Sequence, residues 1–183
     1  MNLAALADKA LPSLAKSAAP VDQVAYARDL WPRHHIAVRD GRVAEHRPGL
    51  IVWPSTTDEV ASVVRFCAAE GVPLVPYGAG SGVCGGVLPD PRTVILDLKR
   101  MSRWRTFDRA EATLDVQAGA LGIRLEEDLG AEGFTLGHFP SSILCSTAGG
   151  WVAARSAGQC SGRYGKIEDM VASLECVTGT GEI

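Results

Sequence analysis

An α+β fold with two kinds of sheet is predicted by three observations. Between Gly49 and Pro76, two short apolar runs flank a stretch of helical periodicity, the pattern of a parallel β-α-β unit. Between Trp104 and Gln117, two runs flank a polar turn, the pattern of an antiparallel hairpin. Two glycine-rich stretches, near residues 78–86 and 146–150, interrupt these elements where neither helix nor strand propensity survives.

The elements follow in order. Asn2 to Ser17 has helical composition broken near Pro12, and Val21 to Asp29 predicts a second short helix with Asp22 in its first turn. Neither segment carries obvious chemistry. Trp31-Pro32-Arg33-His34-His35 sets two histidines side by side, but adjacent residues face different ways, and no partner ligand stands at zinc-like spacing, so no metal site is expected. Gly49 to Pro54 predicts a strand. A helix then opens at Thr57-Asp58-Glu59 behind a threonine cap, keeps Val60, Val63, Val64 and Cys67 on one face, and stops at Gly71. Val72 to Pro76 and Thr93 to Leu98 are further strands. Trp104 to Phe107 and Thr113 to Gln117 form the hairpin, and Leu121 to Glu132 a helix turning Ile123, Leu125 and Leu129 inward. Val152 to Gly158 predicts a helix start, capped by Ser146 or Thr147.

Composition narrows the function classes. The 183 residues suffice for one domain with a real core, and 46% apolar with 21% charged residues is the balance of an ordered protein. A net charge of −3 without a Lys/Arg cluster argues against nucleic acid as a partner. Five cysteines (Cys67, Cys84, Cys145, Cys160, Cys176), odd in number and without C-x-x-C, fit a reducing compartment better than a disulfide framework or a zinc site. The Ala/Leu-rich N-terminus is broken by Asp8, Lys9, Pro12 and Lys16, so it reads as neither signal peptide nor membrane span, and a cytoplasmic protein is expected.

The chemistry concentrates in the glycine stretches. Pro76-Tyr77-Gly78-Ala79-Gly80-Ser81-Gly82-Val83-Cys84-Gly85-Gly86 follows a strand, and glycines spaced by small residues let successive N–H groups turn toward an anion. Gly80 to Gly85 matches G-x-G-x-x-G, but Gly85-Gly86, Pro89 and Pro91 forbid the helix that a Rossmann motif must open. No Lys-Ser/Thr pair follows, so the P-loop is excluded as well. A tight surface loop with no ligand is the alternative reading. The second glycine-and-hydroxyl stretch, Leu136 to Trp151, leads into a capped helix N-terminus, a second expected anion site. Two such sites point to an extended, doubly charged ligand, with a dinucleotide as first candidate.

Pro76 to Gly82, Ser146 to Trp151 and Tyr164-Gly165-Lys166-Ile167-Glu168-Asp169, in that order, resemble the FAD-binding domain of vanillyl-alcohol oxidase/p-cresol methylhydroxylase (PCMH)-type flavoproteins. Within that group the resemblance is closest to alkyldihydroxyacetonephosphate synthases and bacterial FAD-linked oxidases, through Gly137-His138 and Ala154-Arg155-Ser156-Ala157 as well. It covers the chain from about Arg47 onward.

The resemblance implies a PCMH-type domain of two α/β subdomains, one with a small parallel β-α-β sheet and one with a mixed or antiparallel sheet. It would run over 47–183 behind a 1–46 helical segment and be incomplete at its C-terminus; the end of the chain one residue into an expected return strand after Val177 points the same way. Pro76, Tyr77, Gly78, Ala79, Gly80, Ser81 and Gly82 would hold the FAD pyrophosphate. Ser141, Ser142, Ile143, Leu144, Cys145, Ser146, Thr147, Gly149 and Gly150, with Ala154, Arg155, Ser156 and Ala157, would line the flavin and the rest of the cofactor. No histidine stands between Pro76 and Gly86, so FAD is expected to be held non-covalently. Where Phe139 and Ser141 stand, the synthases usually carry acidic residues. The implied activity is that of an FAD-linked oxidase on a 2-hydroxy acid or alcohol; alkyl transfer by a synthase, or a cofactor-binding fragment inactive by itself, are the alternatives. A small-molecule substrate is the expected partner, and homo-oligomerisation is left open. No nucleophile or acid/base pair with a recognisable partner is present, so no catalytic residue is assigned. His138 reads as a packed loop residue, and Arg155 as either a phosphate ligand or the partner of an acid.

Overall fold

Val94-Ile95-Leu96-Asp97 is buried at every position, and the first sheet is assembled around it. The structure, a computed structural model, describes residues 2–42 and 46–183. Helix α1 (Leu3–Ala10) is capped by Asn2, whose Oδ1 accepts from the Ala5 N–H at 3.2 Å. The expected helix stops there. Lys16–Ser17 is instead extended as strand β1, ahead of α2 (Pro20–Ala25) and α3 (Pro32–Arg39). Strand β2 (Leu50–Val52), helix α4 (Thr57–Glu70), strand β3 (Leu74–Tyr77) and strand β4 (Val94–Asp97) complete this half.

The β-α-β reading holds, with one refinement: β2 and β3 do not pair with each other. The order is β1-β2-β4-β3, with β4 parallel to both neighbours and β1 antiparallel to β2. The strand rich in β-branched and apolar residues takes the centre, while β3, with Pro76 and its missing N–H, sits at the edge where proline is tolerated. Thr56 caps α4 by accepting from the Glu59 N–H at 3.2 Å, and Gly71 ends it at φ +63. Val60, Val63, Val64, Phe66 and Cys67 are buried along the helix, each aliphatic or aromatic side chain contributing about 1.5–3 kcal/mol relative to exposure.

Two compact units emerge, one of residues 1–98 with 175–183, the other of residues 99–174. In the second, β5 (Trp104–Asp108) and β6 (Thr113–Val116) form the expected antiparallel hairpin. Helix α5 (Gly122–Ala131) matches expectation to within one residue at each end. A 3₁₀ turn (Ile143–Cys145) precedes α6 (Ala148–Ala153), α7 (Ser161–Tyr164) and α8 (Ile167–Met170). The core of this unit is Ala120, Leu125, Trp151 and Ile167, against which Trp104, Leu114 and Val116 of the hairpin pack.

Two expectations are corrected. The helix placed at Val152–Gly158 begins earlier, at Ala148, because Thr147 is the cap, and it ends at Ala153, with Ala154 as its C-cap and Arg155 at φ +50. The strand expected at Val177–Ile183 is absent: this stretch turns through Gly181 N–H to Thr178 O (3.0 Å). It is tied to α4 by side chains, Arg65 Nη1 donating to Gly181 O at 2.6 Å and Thr57 Oγ1 to Glu175 Oε1 at 2.6 Å.

Candidate functional site

The glycine loop leaves the carboxyl end of β3, where open parallel sheets expose backbone to ligands. From Gly78 to Thr93 it forms no helix or strand, as the glycines and prolines dictate. Among the described residues, the N–H groups of Ala79, Gly80, Ser81, Gly82 and Val83 donate to no protein acceptor. Five successive unpaired donors on one loop form the donor set that a pyrophosphate requires. Gly80 sits at φ +66, with Tyr77 packed under it.

Residues upstream shape this loop, and sequence reasoning passed over them. Asp29, 2% exposed, accepts from the Gly85 N–H through Oδ2 at 2.8 Å. Its Oδ1 takes the Trp31 N–H and faces His34 Nδ1, both at 2.9 Å. Leu30 N–H donates to Gly82 O at 2.9 Å, and Gly85, at φ +75, lies so close to the Trp31 ring that a Cβ would meet Cε3 at 2.9 Å. Of the two adjacent histidines, His34 is thus buried against Asp29 while His35 is exposed. No group of three or more His, Cys, Asp or Glu stands together at metal-binding distance among the described residues.

Below the loop lies a polar knot. Tyr26 donates to the buried Asp97 carboxylate at the end of β4, and Trp53 Nε1 donates to the Tyr26 oxygen at 2.9 Å. Burial, then the Asp97 carboxylate, push the Tyr26 phenol far above its usual range, so it remains a donor. Tyr77, its own pKa raised by burial, stands edge-on to Tyr26 with ring centroids 4.9 Å apart.

In the second unit, Ser141 and Cys145 are exposed, Ser142 and Ile143 half-buried, and Leu144 is 72% exposed. Ser146 and Thr147 are buried, with their hydroxyls in use: Ser146 Oγ accepts from Trp151 Nε1 at 2.7 Å, and Thr147 Oγ1 from the Gly150 N–H at 3.3 Å. The second anion site expected at this helix end is not formed. Ala148 N–H goes to Ala120 O and Gly149 N–H to Ala118 O, at 2.9 and 2.8 Å, so the first-turn donors are already spent.

Ala154 and Ala157 are exposed and Ser156 half-buried, its Oγ 3.2 Å from His138 Nε2. His138 is fully buried against Trp151, and that burial pushes its pKa down. Arg155 pairs with Glu168 at 2.8 Å. Arg155 and then Lys166 hold that carboxyl down at about 2.

Residues 48–183 match the family described as FAD binding domain. The chain is 37% identical over 161 residues to an alkyldihydroxyacetonephosphate synthase of Trypanosoma brucei brucei, covering 85% of this chain and 25% of that protein. It is 32% identical over 136 residues to the glycolate oxidase subunit GlcD of Bacillus subtilis, covering 74% of this chain and 29% of that one. A solved alkyldihydroxyacetonephosphate synthase superposes with a TM-score of 0.85 at 37% identity, over 91% of this chain and 32% of the other. The chain thus spans about a quarter of the length of the curated relatives it matches. The glycine loop suits a dinucleotide pyrophosphate, and the α+β architecture is that of the PCMH-type neighbours. The chain belongs to the family of FAD binding domains, and its cofactor is FAD.

Proposed function

We propose that this chain is the FAD-holding part of an FAD-dependent oxidoreductase acting on a 2-hydroxy acid or alcohol. The observation that carries the reading is the row of unpaired amides from Ala79 to Val83. Pro76 to Gly82 receive the pyrophosphate. In the second unit, Ser141, Ser142, Ile143, Leu144 and Cys145 face the flavin end of the cofactor; Ser146, Thr147, Gly149 and Gly150 shape that stretch from behind, and Ala154 to Ala157 border it. Residues 47–183 are the cofactor domain, and Arg28, Asp29 and Leu30 ahead of it brace its glycine loop.

The bound flavin supplies the redox chemistry, and the chain supplies binding and orientation. FAD is held non-covalently, since the loop offers no histidine. Among the described residues no helix is long and apolar enough to cross a membrane. The five cysteines are free, and burial pushes the Cys67 thiol up to about 11; their odd number without a C-x-x-C pair supports a reducing, cytoplasmic setting.

A second reading, alkyl transfer by an alkyldihydroxyacetonephosphate synthase, is favoured by 37% and 40% identity to two such proteins. Against it stands the uncharged stretch Phe139-Pro140-Ser141-Ser142. The test is anaerobic mixing of the full-length gene product with glycolate, lactate or an acyl-dihydroxyacetone phosphate. Flavin bleaching by a hydroxy acid is the expected result. No bleaching by either hydroxy acid, together with replacement of the acyl group by the alkoxide of an added long-chain alcohol and its release as a fatty-acid carboxylate, would establish the synthase reading instead.

A further inference from the structure

We propose that Asp29 is the positioning residue of the glycine loop, holding the Ala79–Val83 amides ready for the FAD pyrophosphate. The inference rests on the FAD reading above and adds a residue outside the 48–183 span matched by the family.

Five unpaired N–H groups in a glycine-rich loop have no internal reason to hold one arrangement. Gly78, Gly80, Gly82, Gly85 and Gly86 give this segment wide conformational freedom, and an unrestrained loop would have to be ordered by the ligand at the expense of affinity. What restrains it comes from residues 28–30. Asp29 Oδ2 accepts from the Gly85 N–H at 2.8 Å, Leu30 N–H donates to Gly82 O at 2.9 Å, and Tyr77 Oη, under Gly80, donates to Arg28 O at 3.4 Å. These ties grip the loop just beyond, within and just before the free amides.

Asp29 is built for this. Its side chain is fully buried, and its two oxygens face opposite ways: Oδ1 toward Trp31 N–H and His34 Nδ1 on its own segment, Oδ2 toward the loop. A carboxylate only accepts, so it takes up the Gly85 donor without offering a competing proton to the neighbouring carbonyls. Its hydrogen bonds are charge-assisted, the stronger kind, and each end would be left unsatisfied if the other moved. The carboxylate also lies close to the free amides: a Cβ on Gly82 would lie 3.6 Å from Oδ2.

The experiment uses the 183-residue chain. Amide hydrogen exchange of the FAD-free wild type should show Gly85 protected while Ala79 to Val83 exchange freely; an unprotected Gly85 amide overturns the proposal. FAD titration by flavin fluorescence then compares wild type, Asp29→Ala, Asp29→Asn and Val63→Ala, a core change in α4 that lowers the melting temperature without touching the loop. Asp29→Ala should weaken FAD binding about tenfold or more, the size expected when a buried charge-assisted acceptor is lost. Asp29→Asn, isosteric and keeping one acceptor oxygen, should weaken it less, and it carries the test if the alanine variant does not fold. Val63→Ala should leave affinity unchanged at temperatures where it is folded. Unchanged affinity in folded Asp29→Ala would reduce Asp29 to a purely structural residue. Tighter binding by Asp29→Asn would mean that its charge only repels the phosphates, which also overturns the proposal. Absence of saturable FAD binding by the wild type is a different result: it removes the FAD reading itself, and this inference with it.

Discussion

The Tyr77 phenol lies directly under Gly80, so that a Cβ added there would stand 2.6 Å from Tyr77 Cζ and closer still to the hydroxyl. Gly80 also holds φ +66. Glycine is therefore required here by backbone conformation and by packing, quite apart from any phosphate.

Gly80→Ala should accordingly lower the stability of the FAD-free chain by about 1–3 kcal/mol, the range for a strained non-glycine backbone. Part of that loss should return in Gly80→Ala/Tyr77→Phe, because the hydroxyl is the nearest of the ring atoms in the way. Urea unfolding of the four members of this cycle checks it. Strictly additive effects would show that the phenol is not what confines Gly80.

Gly82 is the cleaner probe of ligand approach. It lacks a positive φ, and its Cβ position meets only Asp29 Oδ2, at an ordinary 3.6 Å. Gly82→Val should leave apo stability within about 0.5 kcal/mol, as at an exposed site without special contacts. FAD affinity should fall about tenfold, or 1.4 kcal/mol, if phosphates need the bare backbone. A folded Gly82→Val chain with wild-type affinity would return the loop to a turn that faces no ligand.

Local signals were the legible ones. Thr56 and Gly71 bracket α4 where a cap and a left-handed stop belong, and the hairpin and α5 follow their periodicity. The glycine loop announced itself because few other purposes need so many small residues after a strand. What could not be read depends on partners far away in sequence. The insertion of β4 between β2 and β3 is a pairing choice made in three dimensions. Asp29, just before Trp31-Pro32, has only a local turn signature until Gly85, 56 residues later, is brought to it. The second anion site failed for the same kind of reason: the Ala118 and Ala120 carbonyls reach the α6 amides first.

Ser146 illustrates that correction. Its hydroxyl, 3% exposed, accepts the Trp151 indole N–H at 2.7 Å in the middle of the second core. Ser146→Ala should cost about 1–3 kcal/mol in the FAD-free chain, since it strands a buried donor. Replacing Trp151 by Phe in the Ser146→Ala background should then cost less than in the wild type, because the orphaned N–H is removed. A loss in Ser146→Ala below about 0.5 kcal/mol would mean that another acceptor takes the indole.

His138 makes the second unit sensitive to acid. The imidazole is fully buried; Nε2 lies 3.2 Å from Ser156 Oγ, and Nδ1 has no partner among the described residues. Burial lowers its pKa from the ordinary 6.5, with the Glu126 charge acting weakly the other way. The neutral ring is thus the form that the folded chain prefers. As pH falls below 6.5 the unfolded chain takes up this proton first, so it binds more protons than the native state and stability drops. The His138 contribution is complete above 6.5 and is lost as pH falls from there to the lowered native value. Urea unfolding at pH about 7.5 and about 5.5 should show a larger loss for the wild type than for His138→Gln, which carries no titrating ring. The carboxylates are common to both proteins and cancel in the comparison. Equal losses would mean that His138 reaches water and its proton in the native state, contrary to its burial against Trp151.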